Sequence, residues 1–145
     1  MIQITKNKIL YSVVSCLFLL ISCSEDDNVK NPIAININGT QKIFSAEVFS
    51  PHMNQYGIFD TAIVARNPDN SNELVQFSAP LGQEGENIIT EFLYKQNELT
   101  CYAGQDFQTN VEMHNNLKFK GSLEGIIVID GSQKHIEIRF DVDME

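Results

Sequence analysis

The stretch "LKFKGSLEGIIVIDGSQKHIEIRFDVDME", Leu117 to Glu145, decides the fold. Apolar residues fall on every second position: Leu117, Phe119, Leu123, Ile127 and Ile129, then Ile136, Ile138, Phe140, Val142 and Met144. A period of two places each set on one face of an extended strand. Gly121 and Gly125 share the inner face of the first strand, which predicts a bulge, a sharp bend or close backbone packing there. Between the runs, Gly131-Ser132 reads as a type II′ turn, with Asp130 opposite Gln133. That register faces Ile127 with Ile136 and Leu123 with Phe140. On the outer face it sets Glu124 against Arg139, Lys120 against Asp143 and Lys118 against Glu145, each pair contributing ~0.2–1 kcal/mol.

The same period continues upstream. In "IAININGTQKIFSAEVF", Ile33, Ile35 and Ile37 alternate with Ala34 and Asn36, and Phe44, Ala46 and Val48 share a face of the return strand. Asn38-Gly39 supplies the two positive-φ residues of a type I′ turn. "GIFDTAIVAR" and "ELVQFSA" are two further strands joined by the turn residues "NPDNSN", and Val75, Phe77 and Ala79 share a face. Residues 87–94 fit either a strand or a short helix, and the strand is favoured. "LTCYA" and "FQTNVEMH" extend the series. The expected fold is all-β: an antiparallel sandwich or partly closed barrel of about eight short strands.

The N-terminus has another character. Lys6 and Lys8 precede an apolar run from Ile9 to Ile21, 13 residues long. Crossing a bilayer core takes ~20 residues, so a basic start and a run this short read as a secretory signal. The following "LISC", Leu20 to Cys23, resembles the bacterial lipobox. That resemblance implies cleavage before Cys23, a diacylglycerol on its thiol and acylation of its new amino group. Next come Ser24, Glu25, Asp26 and Asp27, which resemble the acidic export signal of Bacteroidota lipoproteins. This implies an outer-membrane lipoprotein facing the cell exterior, with the periplasmic leaflet as the alternative. The organisation expected is a signal peptide at 1–22, a lipidated acidic tether at 23–32 and an all-β domain at 33–145. "INGTQKIFSAE", "FKGSLEG" and "IEIRFDVDM" are also similar to small Bacteroidota lipoprotein domains of unassigned chemistry. That likeness implies a β fold and surface attachment.

Removing 22 of 145 residues leaves 123, enough for one self-sufficient core. Two of the ten basic residues leave with the signal, so 8 basic residues face 19 acidic ones, a net charge of −11. That balance opposes nucleic acid and an electrostatic grip on anionic lipid. Attachment falls to the acyl chains, since two or three chains anchor durably where one does not. Cys16 leaves with the signal and Cys23 carries lipid, so Cys101 stands alone, with a small buried apolar role expected. Neither a disulfide nor a cysteine-based zinc site is expected.

The candidate sites are few. His52, His114 and His135 have no ligand spacing and read as surface or strand residues, so no metal or cofactor is expected. Asp141, Asp143 and Glu145 share a face, but the register above already matches two of them with lysines. "DNSNE", Asp69 to Glu73, has alternate oxygen ligands but lacks a calcium loop's central glycine and distant glutamate, so it reads as a turn. Glu84 and Glu86 flank Gly85 without a placed acid/base partner. "GSLEG" carries its serine in the wrong position for a nucleophile elbow. "DTA", Asp60 to Ala62, resembles the Bacteroidota O-glycosylation site, which implies a possible sugar on Thr61. A groove lined by Tyr56, Tyr94 and Tyr102 would suit a glycan or peptide. The expectation is a non-enzymatic binding or adhesion module with a glycan or protein ligand. A structural or accessory subunit of an envelope complex comes second, and a hydrolase third.

Overall fold

A computed structural model describes residues 29–104 and 106–144. The signal peptide, Cys23 and the acidic residues 24–27 lie outside the described residues, as does Glu145. The rest is all-β: an antiparallel sheet curled into a half-barrel, with no helix among the described residues. Ten strands form it where about eight were expected: β1 (Pro32–Ile37), β2 (Thr40–Met53), β3 (Phe59–Asn67), β4 (Asn70–Pro80), β5 (Gly85–Glu86), β6 (Glu91–Gln96), β7 (Leu99–Tyr102), β8 (Gln108–His114), β9 (Lys118–Ile129) and β10 (Ser132–Asp143). Their spatial order is β5-β8-β9-β10-β1-β2-β3-β4-β6-β7. The ambiguous segment at 87–94 joins the sheet from Glu91 onward as β6.

Alternation sets the core. Ile33 and Ile35 of β1, Phe44 and Ala46 of β2, Ile63 and Ala65 of β3, and Val75, Phe77 and Ala79 of β4 are all fully buried on the inner face. The inner residues of β9 and β10 meet them there. Phe77 and Phe119 each approach Phe140, with ring centroids 4.9 Å apart. Tilted aromatic pairs of this kind contribute ~0.5–1.5 kcal/mol each beyond their buried area.

The first hairpin follows the sequence reading: Ile37 faces Thr40, and Asn38 and Gly39 both have positive φ. The last hairpin corrects it. Asp130 (φ 52°) and Gly131 (φ 72°) form the turn, so Ile129 faces Ser132 and the register moves by two residues. Leu123 faces Ile138, Gly125 faces Ile136, and Glu124 faces Glu137 rather than Arg139. A shift of two preserves which face each residue occupies, so the core expectation survives while all three charge pairs fail. The cations find other partners: Lys118 Nζ lies 2.7 Å from Asp141 Oδ1, and Lys120 Nζ lies 2.9 Å from Glu112 Oε2 on β8. Asp-Gly satisfies a type I′ turn at both positions. Solvated ion pairs, worth a few tenths of a kcal/mol each, do not override it.

The inner-face glycines have packing reasons. A Cβ on Gly121 would fall 2.2 Å from the Asn110 carbonyl oxygen and 2.8 Å from the Phe140 ring. One on Gly125 would meet the Phe107 ring at 2.2 Å. β8 is bulged between Val111 and Met113, opposite Gly121.

Two crossings bridge the open side of the half-barrel. The chain leaves β4, lays β5 against Asn110 and Val111 of β8, and returns to β6. Near the β9–β10 turn, the Cys101 thiol donates to the Val128 carbonyl at 2.8 Å. Burial pushes that thiol's pKa up, and Asp130 adds to the effect, which fits the expected small apolar role.

Antiparallel pairing gives the barrel two unlike ends. One gathers the tight turns at Asn38-Gly39, Pro68-Asp69, Asn97-Glu98 and Asp130-Gly131, and is called the turn end. The other, the tether end, gathers the start of β1, the β2–β3 connection, the end of β4, the β8–β9 turn and the end of β10.

Candidate functional site

Each end holds a buried polar network, and the flank of the sheet carries a trough. At the turn end Glu73 is 1% exposed. Its Oε1 accepts from Lys42 Nζ at 2.7 Å and from the Tyr94 hydroxyl at 2.5 Å, while Oε2 accepts from Asn67 Nδ2 at 2.7 Å. Burial by itself would raise the Glu73 pKa, but the bonds from Lys42, Tyr94 and Asn67 outweigh it and hold the carboxyl below its ordinary range. The same burial and the adjacent carboxylate push Tyr94 far up, so it stays a neutral donor. Glu73 thus lies buried within β4 rather than in the turn read at Asp69 to Glu73, and Tyr94, fully buried, lines no groove. Tyr56, on the β2–β3 connection, and Tyr102, at the end of β7, are exposed and far apart in the chain. Parity could have revealed this network, because Glu73 continues the inward series of Val75, Phe77 and Ala79, as Lys42 continues Phe44 and Ala46.

At the tether end His114, the last residue of β8, is 3% exposed, so of the two expectations, surface or strand, the strand holds. Its ring stacks on Phe119, 4.5 Å between centroids. Nδ1 lies 3.3 Å from the Gln83 carbonyl oxygen and Nε2 lies 2.8 Å from Thr61 Oγ1. A carbonyl only accepts, so Nδ1 carries the proton in the neutral ring and Nε2 accepts from Thr61. Thr61 Oγ1 in turn accepts from Ser50 Oγ, 3.0 Å away. Burial lowers the His114 pKa, partly offset by the Gln83 carbonyl and by Glu84, whose Oε1 accepts from the His114 backbone N–H at 3.0 Å. Ser50 and His114 border a pocket of about 320 Å³ with Leu81, Gly82 and Asn115. Thr61 itself is fully buried. A sugar on Thr61 would therefore have to be attached before the strands close over it.

On the other face of β3, Asp60 is also fully buried. Its Oδ2 accepts from Asn54 Nδ2 at 2.8 Å, while Oδ1 has no hydrogen-bond partner among the described residues.

The trough runs over the outward face of β8, β9, β10 and the start of β1, with Glu86 and Asn87 on its rim. It holds about 990 Å³. Gln108, Asn110 and Ser122 offer neutral donors and acceptors, and Thr109 Oγ1 is buried at its edge without a hydrogen-bond partner. Glu86, Glu112, Glu124, Glu137 and Asp141 outnumber Lys120 and Arg139, so its charge is negative. Glu124 and Glu137 face each other directly, and each turns to another partner, His135 Nε2 at 2.8 Å and Arg139 Nη2 at 2.8 Å respectively. No group of three or more histidine, cysteine or acidic side chains is arranged to hold a metal among the described residues. No protein-family model, no curated protein and no solved structure matches the chain.

Proposed function

We propose that this chain is an outer-membrane lipoprotein, anchored through acyl chains on Cys23 and facing the cell exterior, whose β-domain is a non-enzymatic binding module. The trough on β8–β10 carries the binding reading. Its volume is at the upper end of ordinary ligand sites, ~300–1,000 Å³. Its lining of amides, hydroxyls and ion-paired carboxylates, with no exposed aromatic platform, suits a hydroxyl-rich ligand such as an oligosaccharide. The acidic balance disfavours a polyanion. The anchor rests on Lys6, Lys8, the apolar run and "LISC", and the outward destination on Ser24 to Asp27.

The anchor is tested by intact-mass analysis with and without globomycin: a product starting at acylated Cys23 supports it, and cleavage elsewhere sinks it. Protease shaving of whole cells then separates the outer face from the periplasmic leaflet. For the trough, Asn110→Ala and Arg139→Ala should each weaken binding about tenfold in an oligosaccharide screen, with unchanged thermal unfolding. Binding indifferent to both changes would place the ligand elsewhere. A second reading, an accessory subunit packed against an envelope protein, is favoured by the exposed apolar residues at the tether end.

A further inference from the structure

The β2–β3 connection differs from every other turn among the described residues. β1 stops pairing with β2 at Ser45, yet β2 runs on to Met53, so the hairpin projects past the start of β1 as an arm. From Ser50 to Phe59, "SPHMNQYGIF" contains no acid, lysine or arginine, in a domain that is otherwise strongly acidic. Met53 is 58% exposed, Tyr56 76%, Ile58 53% and Phe59 52%. Leu81 lies beside them, its N–H donating to the Phe59 carbonyl, and the exposed Leu117 belongs to the same end. Clustered exposed apolar side chains of this size mark a surface that something covers.

The chain itself indicates what covers it. The tether joins the barrel at this end, where the Lys30 carbonyl accepts from the Ala46 N–H. Met53 lies seven residues beyond Ala46, ~20 Å along a bulged strand. Cys23 lies seven residues before Lys30, a reach of at most ~25 Å. The arm therefore projects about as far as the tether can extend. With a lipid on Cys23, the arm's tip is within reach of the membrane surface. Tyr56 among aliphatic neighbours is the composition of an interfacial anchor, apolar ring below and hydroxyl toward the headgroups. The absence of acids on the arm removes repulsion from an anionic surface.

We propose that the tether end is a membrane-docking face, with Met53, Tyr56, Ile58 and Phe59 entering the interface of the membrane that holds the Cys23 acyl chains. The proposal rests on the lipoprotein reading. Docking fixes the barrel's orientation, directs the turn end outward and leaves the trough open along the side.

The chain contains no tryptophan, so a single Tyr56→Trp substitution is a clean reporter. The full lipidated protein is reconstituted into phosphatidylethanolamine/phosphatidylglycerol vesicles containing lipids brominated near the headgroup. Emission from the Tyr56→Trp protein should shift to the blue and be quenched about fivefold more than from a Val128→Trp protein, which reports from the turn end. Adding Met53→Ser and Ile58→Ser should return it to the solvent-exposed level. An acylated protein that floats with vesicles while its Tyr56→Trp emission stays unquenched overturns docking and leaves the anchor standing. An unacylated protein that fails to float overturns the anchor itself. In-cell crosslinking from position 56 to an envelope protein, together with unquenched emission, assigns the face to a protein partner instead.

Discussion

The two ends of the barrel solve the burial of polar groups in opposite ways. At the turn end a charged group, Glu73, is enclosed by three donors, and the surrounding turns are short, polar and built from Asn, Asp and Gly. At the tether end the His114 ring sits in a neutral series, Ser50 to Thr61 to His114 to Gln83, with the buried Asp60 carboxyl held separately by Asn54 on the other face of β3, and the connections are longer and apolar. A network around a charge closes an end of a barrel tightly. A neutral chain beneath an apolar rim leaves the rim free to meet something else.

The largest test of this contrast is Glu73→Ala. It strands the buried Tyr94 hydroxyl and Asn67 amide and frees Lys42, whose partial exposure lets it recover water. The expected loss is about 3 kcal/mol in denaturant unfolding. A loss below 1 kcal/mol would mean that the network is decoration. Gly121→Ala comes next, at about 2 kcal/mol, because the new methyl meets backbone as well as the Phe140 ring. Gly125→Ala should cost less, since the half-buried Phe107 ring can swing aside.

The pH dependence separates the ends further. His114 is depressed from its ordinary value near 6.5, so the fold favours the neutral ring. Its contribution is complete above that value and is lost as the pH falls toward the lower folded pKa, while the unfolded chain takes up its proton. Glu73 is likewise depressed from 4.5, so its contribution persists until the pH falls below that value. Mild acid should therefore weaken the tether end first. His114→Gln, which keeps an amide donor and acceptor, should cost about 1 kcal/mol at neutral pH and flatten stability across the histidine range. An unchanged slope would show that another group titrates. The smallest effect belongs to Met53→Ser with Ile58→Ser, expected to leave stability within about 0.5 kcal/mol by thermal unfolding. A larger loss would mean that the arm's side chains support the fold.

Much of this architecture was legible because a strand's period of two is unforgiving. Ile33 and Ile35, Phe44 and Ala46, Val75 to Ala79, and both strands of the last hairpin lie inward as their alternation requires. The polar members of the turn-end network sit at the inward positions of the same series, so their burial could have been read too. His114 could not. The bulge between Val111 and Met113 inserts a residue into β8 and reverses parity after it, so an even-numbered histidine joins an odd-numbered inward face. The register of the last hairpin differs for another reason: a shift of two leaves every face unchanged, and Asp130-Gly131 and Gly131-Ser132 both offer a two-residue turn.

The sequence alone determined the longer strands, the inward faces of β1 to β4, β9 and β10 and the Asn38-Gly39 turn, since these depend on local backbone chemistry and on the alternation of apolar side chains. Tertiary structure decided which strands are neighbours, where β8 bulges, and that β5 crosses to β8. It also decided that Glu73 meets Lys42, Tyr94 and Asn67. These depend on contacts between residues far apart in the chain, and a choice among registers that bury the same face leaves no mark in any single segment.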